Sequence, residues 1–506
     1  MITMKHQAYD VVIIGSGVGG GSVALQLAGS NARVLVLERG PVMPREAQNW
    51  QPEAVFCDRR YHANETWWAN ERPFNPGMFY FVGGNTKFYG TAMFRFREKD
   101  FESLTHEEGV SPAWPIKYGD LEPWYCQAES LFGVRGQAGV DPTDPPRSTP
   151  YSHGPIPHEP VIDQIAKRLR AQGLTPFSMP SAVDYGPKGR CQRCANCDAF
   201  PCKIDAKGDA ETILIQPALK HSNIELVSNA YVRKLQTDPA GRKIVSVDVL
   251  INGINQRITA DTFVLSAGAV NSAALLLRSA NTSNSRGLAN SSDVVGRNYM
   301  THNTSALMAI HPFKINDTQF PKTLAVHDYY FGGDEITTPL GSLQLLGKIR
   351  EPMLRGPLRS VPKLIRTALA SRSVDWYAQS EDLPHPDSRV TVRSDGAINL
   401  NWHRSNLKAH GRWVAKCKEI LRATGYPIVL AQSFGTDVVS HQCGTVRFGN
   451  DPATSALDTN CKAWDHDNLY VVDAGFFPSS AAVNPALTIA AQGLRVGNHL
   501  RKEVFQ

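Results

Sequence analysis

The stretch YDVVIIGSGVGGGSVALQLAGSNARVLVLERG, residues 9–40, decides the fold. DVVIIG is an almost unbroken apolar run, the pattern of a buried strand. Gly15, Gly17 and Gly20 follow directly as G-x-G-x-x-G. GSVALQLAGS then has helical spacing, and RVLVLERG reads as a second strand ending in Glu38. Strand, glycines, helix, strand and terminal acid, in that order, predict a dinucleotide site in an α/β, Rossmann-like domain. Gly15 permits the tight turn, Gly17 lets backbone approach a pyrophosphate, and Gly20 lets helix and strand pack closely. The helix amino terminus offers N–H groups and a favourable dipole to phosphate. Glu38 is placed to accept hydrogen bonds from ribose hydroxyls. That acid fits FAD or NAD. No second good fingerprint occurs, which argues against an enzyme carrying both.

The chain has 506 residues, too many for one ordinary core, so two intimately joined domains are expected. Charged residues make up 20% and hydrophobic ones 42%, a composition from which a disordered chain is not expected. A net charge of +6 is mild at this size and gives no reason to expect nucleic acid as a partner. No apolar run is long enough to span a bilayer. The start, MITMKHQAYDVVIIGSG, passes from a short polar lead into the first strand, with no apolar segment and cleavage site and no twin-arginine signal. A cytoplasmic location is the expectation.

Further segments, read with the first, resemble the glucose–methanol–choline (GMC) oxidoreductases. FVGGNTKFYGTAMFRFREKDF (81–101) is similar to the family's flavin-contact loop. There Gly83, Gly84 and Gly90 would let backbone press against the isoalloxazine ring, with Asn85 among the cofactor-facing positions. WPIKYGDLEPWYCQAE (114–129) looks like the family's tryptophan–proline turn into a helix, with Asp120 as its N-cap and Pro123 in its first turn. TFVLSAGAVNSAALLLRS (262–279) matches a strand–glycine–helix segment, and NLYVVDAGFFPSSAAVNPALTIAAQGLRVGNHL (468–500) the family's return strand, turn and final helix. Asp473 and Gly475 would lie beside the ribityl and phosphate region. The resemblance implies FAD, and a flavin domain built from 1–130, 205–300 and 465–506. It implies an α+β substrate domain with an antiparallel sheet over 301–464. Segment 131–204 reads as an insertion near the entrance, and its proline-rich part, 136–160, as an extended loop. The likeness fades across 130–190 and 300–435, the segments that shape a substrate pocket.

SHQCGT (440–445) matches the family's histidine-x-x-glycine-threonine element. The resemblance implies that His441 and Asn484 face the reactive edge of the flavin. His441 would take the hydroxyl proton of an alcohol, or else position substrate or support the reduced flavin electrostatically; read without the resemblance, it is as readily a packed, hydrogen-bonded side chain. Asn484 would hold the alcohol oxygen, or else serve only as a turn residue before Pro485. Two positions depart from the commoner pattern: Tyr89 stands where many relatives have asparagine, and Asn484 where many have histidine. Asparagine occurs at the second position in some branches. His327, His403 and His410 show no readable partner and are expected at the surface or in the core. The expected substrate is a sugar, polyol or similar small alcohol. The acceptor, oxygen or a partner protein or quinone, stays open. A flavin-binding protein without turnover and an NAD enzyme are the competing readings.

Of nine cysteines, Cys191, Cys194, Cys197 and Cys202 cluster as C-x2-C-x2-C-x4-C. Three readings compete: an iron–sulfur site relaying electrons to a partner, structural zinc, or metal-free thiols. Arg190, Arg193, Lys203 and Lys207 flank them and would lower thiol pKa values, or be plain solvated charges. Residues 348–372 carry seven basic side chains and one acid interleaved with leucines and isoleucine. This reads as a solvated lid or as a short amphipathic helix for a membrane surface or a partner, interrupted by Pro352, Pro357 and Pro362.

Overall fold

The computed structural model describes residues 8–333, 336–436 and 440–505. The polar lead at 1–7, on which the reading of the chain start rests, lies outside them. Strand β1 (Tyr9–Ile14), helix α1 (Val18–Leu27) and strand β2 (Val34–Leu37) form in the predicted order, nearly all buried. β1 and β2 pair in parallel, Val11 opposite Val34 and Ile14 opposite Leu37. On the far side of β1 lies Ile254–Leu265, also parallel, which folds back antiparallel onto Ile244–Ile251 and then Ala230–Thr237. Ile224–Val227 extends the sheet beyond β2, and Leu469–Val471 joins it beside Phe263–Leu265. Seven strands from 9–37, 224–265 and 469–471 thus make one mixed sheet. The last long helix, Ala486–His499, lies close on α1 because glycines face it: a Cβ on Gly493 would sit 2.9 Å from the carbonyl oxygen of Gly19.

A second, antiparallel sheet of six strands runs Ile428–Ser433, His302–Ile310, Ser373–Glu381, Ser342–Leu345, Leu324–Val326 and Phe177–Ser178. Its last strand comes from the segment read as an insertion. The helix Leu407–Ala423 covers one face through Trp413, Cys417, Ile420 and Leu421. The helix Lys363–Arg372 packs on the other through Leu369 and Ala370. A small sheet pairs Trp67–Ala69 and Arg72–Phe74 with Arg389–Val392 and Ile398–Asn401, tying the amino-terminal part to the second sheet's region.

Two local expectations change. The helix Tyr118–Leu131 is preceded by Lys117, not Asp120. Asp120 instead sits in the first turn and accepts from the Lys117 amide at 2.8 Å, which still satisfies an orphan donor. Pro123 lies inside this helix rather than at its start. Among the described residues, no helix is long and apolar enough to cross a membrane.

Candidate active site

One cleft runs along the carboxyl ends of β1 and β2. It is lined by Gly15, Gly17, Glu38, Gly84, Asn85, Asp473, His441 and Asn484 among others. Gly15 has φ +103°, and a Cβ there would lie 2.2 Å from the Ser266 carbonyl oxygen, so only glycine makes this turn. A Cβ on Gly17 would meet nothing within 4 Å, and no side chain caps α1. The helix end therefore opens onto the cleft, the arrangement that receives phosphate. Gly84, at φ +59°, packs the 81–90 loop directly against Gly17, where a Cβ on it would lie 3.2 Å from the Gly17 Cα. Gly20 does not line the cleft; its missing Cβ makes room for the Gly15 carbonyl oxygen, 2.1 Å away.

Both buried acids are held by the backbone. Glu38 accepts from the Ser16 amide (3.0 Å), the Ser16 hydroxyl (2.5 Å) and the Gly40 amide (2.9 Å). Asp473 accepts from the amides of Gly268 (3.0 Å) and Gly475 (2.8 Å) and from the Ser272 hydroxyl. Burial raises the pKa of each against these hydrogen bonds. Arg39, which the sequence reading passed over, is sandwiched between the Tyr80 and Tyr231 rings at 4.0 and 4.3 Å and ion-paired to Glu65 at 3.0 Å. All three of these cleft residues, Arg39, Tyr80 and Tyr231, come from separate segments, and only the fold joins them.

His441 has φ +64°, a left-handed conformation uncommon for a side-chain-bearing residue. It is held there from both sides. Thr301 donates to the Ser440 carbonyl at 2.5 Å, and Met300 and Cys443 exchange backbone hydrogen bonds of 3.0 and 2.9 Å. This pairing carries His302 against His441, with their Nδ1 atoms 2.9 Å apart. His302 Nε2 lies 3.1 Å from the Ser480 carbonyl oxygen. A carbonyl can only accept, so that nitrogen carries the proton, and His302 Nδ1 offers a lone pair. With the two Nδ1 atoms 2.9 Å apart, His441 Nδ1–H donates to His302 Nδ1, and His441 Nε2 is left as an acceptor. That nitrogen faces the Asn484 amide nitrogen at 3.4 Å. Gln344 donates to Asn484 Oδ1 (3.0 Å) and to Gln379 Oε1 (2.5 Å), which fixes the amide orientation. Burial holds His441 well below the usual histidine range, with His302 and Lys322 adding to the effect, and burial pushes His302 down to about 4. His302, Gln344 and Gln379 were not singled out by the sequence reading; they lie far from His441 in the chain, with no motif around them.

Several predicted positions fall elsewhere. Gly90 does not line the cleft. A Cβ there would meet Lys322 Nζ at 2.1 Å and Asp198 Oδ1 at 2.4 Å, so its smallness serves a nearly buried ion pair of 2.7 Å. Gly475 lies beside Asp473 rather than on the cleft wall, the place a Cβ would take being 2.8 Å from Asp473 Oδ1. Tyr89 lines the cleft and donates to the Gly208 carbonyl. His327 and His410 are buried and have partners. His327 contacts Asp141 and Ser342, each at 2.9 Å, and His410 contacts Ser305 (2.9 Å) and Ser380 (3.0 Å). His403 is exposed.

The four clustered cysteines are not gathered as a metal-ligand set in this structure. Among the described residues, no group of three or more His, Cys, Asp or Glu side chains is arranged to hold a metal ion. All four thiols are free. The cause is how the segment is pinned. Lys207 Nζ donates to the carbonyls of Cys197, Phe200 and Tyr89, each at 2.8 Å, which staples the loop's backbone to the 81–90 loop. Cys191 and Cys197 pack against an apolar cluster of Ile156, Val183 and Phe320, while Cys194 Sγ turns to the Asn196 carbonyl. Burial outweighs the lowering pull of Arg193 on Cys191 and of Lys207 on Cys194 and Cys197, so Cys191 and Cys194 are raised and Cys197 is pushed up to about 12.

A glycine-turn cleft at the strand ends that reaches a buried, hydrogen-bonded histidine fits a cofactor-dependent oxidoreductase. Two models described as GMC oxidoreductase match residues 70–304 and 384–493. The chain is 30% identical to 6'''-hydroxyparomomycin C oxidase of Streptomyces lividus, over 98% of this chain and 92% of that one. It is 27% identical to the fructose dehydrogenase large subunit of Gluconobacter japonicus, over 98% of each chain. Among solved structures, pyridoxine 4-oxidase from Mesorbium loti superposes with a TM-score of 0.69 at 18% identity, covering 97% of this chain and 99% of that one. The chain belongs to the GMC oxidoreductase family, whose members are FAD-dependent enzymes acting on CH–OH groups. The open Gly17 position, the uncapped helix end and the two anchored acids fit that cofactor.

Proposed function

We propose that this protein oxidises the alcohol group of a sugar, polyol or similar hydroxylated molecule to a carbonyl, with His441 as the base and Asn484 holding the alcohol oxygen. FAD, when bound, supplies the hydride acceptor. Gly15, Gly17, Gly84, Asn85 and the acids Glu38 and Asp473 hold the cofactor, with Gly20 keeping the turn closed behind them. The alcohol proton passes to His441 Nε2, the only nitrogen of the pair with a lone pair toward the cleft. His441 keeps its Nδ1–H, and the charge it gains is stabilised by the His302 Nδ1 lone pair 2.9 Å away. Asn484 donates to the alcohol oxygen as negative charge develops there. That His441 Nε2 contact with Asn484, in the cleft that carries the glycine turn, is the observation that supports the assignment.

The hydroxylated-substrate class draws on the relatives. They include a paromamine 6'-oxidase (28% identical) and a 2-methyl-1,2-propanediol dehydrogenase (25% identical), besides those already named. Nine free thiols suit a reducing compartment, and we keep the cytoplasm as the setting. The test is anaerobic mixing of the FAD-loaded protein with a panel of sugars, polyols and simple alcohols while flavin absorbance is followed. At least one hydroxylated compound should bleach the flavin, and His441→Ala should slow that bleaching by about 10²–10⁴-fold with FAD retained. Tight FAD that no alcohol reduces would point to a binding protein without turnover. Iron and acid-labile sulfide in stoichiometric amount would restore a relay through the cysteine segment.

A further inference from the structure

We propose that a cationic, apolar margin of the second sheet docks on the surface of an anionic lipid membrane. The sheet's two faces are covered unequally. Opposed residues of antiparallel strands share a face. Leu307, Ala309 and Val429 lie under the helix Leu407–Ala423. Met308 and Ile310 face the helix Lys363–Arg372, and their partners on the edge strand, Leu430 and Ile428, therefore point to the same side. That helix has only ten residues and reaches the sheet through Leu369 and Ala370 on Met308 and Ile310. Ile428 and Leu430 are left 44% and 41% exposed.

The loop after His302–Ile310 adds to this margin. It is fastened to the helix end by the His311 amide on the Arg372 carbonyl (3.2 Å) and the Asn316 amide on the Ser371 carbonyl (2.8 Å). Between these two anchors it holds Phe313 and Ile315 out, at 87% and 67% exposure. The first turn of the helix presents Leu364 and Ile365, at 81% and 49%. Six of the fourteen large apolar side chains that the described residues leave exposed thus come from this edge strand, the loop fastened to the helix end and the helix itself, the three most exposed among them. Scattered surface leucines need no explanation, but a concentration like this one does.

Charge selects the occupant. Lys314, Arg359 and Lys363 are exposed beside these residues, and neither the helix nor the edge strand contains an acid. Glu351 is engaged by Arg355 and Arg366, which leaves Asp317 as the acid of the 311–317 loop. Apolar tips ringed by cations match the interface of an anionic bilayer, where the tips enter the acyl boundary and the cations meet the headgroups.

The test is co-sedimentation of the FAD-loaded protein with vesicles of phosphatidylcholine alone and with added phosphatidylglycerol, at low and at physiological salt. Binding should require phosphatidylglycerol and weaken with salt. Lys314→Gln, Arg359→Gln and Lys363→Gln should each weaken partitioning roughly fivefold. A Phe313→Ser/Leu364→Ser variant should lose sedimentation with vesicles while FAD content and melting temperature stay as in the parent. No sedimentation with the anionic vesicles, or sedimentation that none of these variants alters, would overturn the proposal. So would a concentration-dependent oligomer that the apolar variant dissolves without any vesicle binding, since the margin would then join copies of this chain.

Discussion

His441 shows how much of a site a single residue's surroundings decide. A histidine in SHQCGT reads from sequence as a base or a packed side chain, and the tautomer is invisible there. The fold resolves the tautomer through His302, whose own proton is committed to the Ser480 carbonyl. Replacing His302 by phenylalanine removes the acceptor for His441 Nδ1–H, and the imidazole is then free to carry its proton on the wrong nitrogen. We expect flavin reduction by substrate to slow by roughly 10²-fold, approaching the loss of a general base. His302→Gln, whose side-chain oxygen can accept the same hydrogen bond, should recover part of the rate. Equal damage from both, with FAD still bound, would reduce His302 to packing. The pH profile is the second readout. A histidine whose pKa is depressed stays neutral as the pH is lowered through 6.5, the ordinary histidine value, and is protonated only further down. The reduction rate should therefore stay flat through pH 6.5 and fall only at lower pH. An inflection at or above 6.5 would remove His441 from the role of base.

At the scale of elements, the 9–40 unit was legible because its signals are local. The apolar run, the glycine spacing and the acid at the strand end all act within a few residues of one another. The glycines, however, look alike in sequence and divide in space. Gly20 serves the packing of α1 against the turn, while Gly17 serves the space in front of it. Gly20→Val should fail to fold or melt far below the parent, since its side chain would overlap the Gly15 carbonyl. Gly17→Val should fold with a parent-like circular dichroism spectrum and take up little FAD. Full FAD occupancy in Gly17→Val would remove the helix end from the cofactor site. The same blindness to tertiary partners explains Gly90, read as a flavin contact and found against Lys322 and Asp198. It also bears on the cysteine segment, whose spacing left metal and metal-free readings open and whose backbone is held by Lys207, a residue outside the motif.

For the molecule as a whole, the sequence motifs order the chain but leave unsaid how its parts hold together. The cleft is walled by residues near 14–39, 78–89, 230–232, 266–278, 440–442 and 473–489, so no single stretch of chain owns it. The buried Lys87 reaches Asp209 (2.9 Å) and Glu211 (2.6 Å), joining the 81–90 loop to the segment that leads back into the first sheet. The pairing of residues 67–74 with 389–401 links the amino-terminal part to the second sheet's region. A cofactor in such a cleft touches most of the fold at once, and by mass action it stabilises every segment that must be native for binding. Stripped of FAD and then titrated with it, the protein should melt in one transition that moves upward as a unit. At free FAD a hundredfold above its Kd the gain is about 2.7 kcal/mol. Spread over the unfolding entropy of a chain this long, that amounts to a shift of roughly 2–3 °C. Differential scanning calorimetry reads this directly. Two transitions, of which FAD moves only one, would mean that the second sheet folds independently and that His441 is brought to the flavin by docking rather than by a shared core.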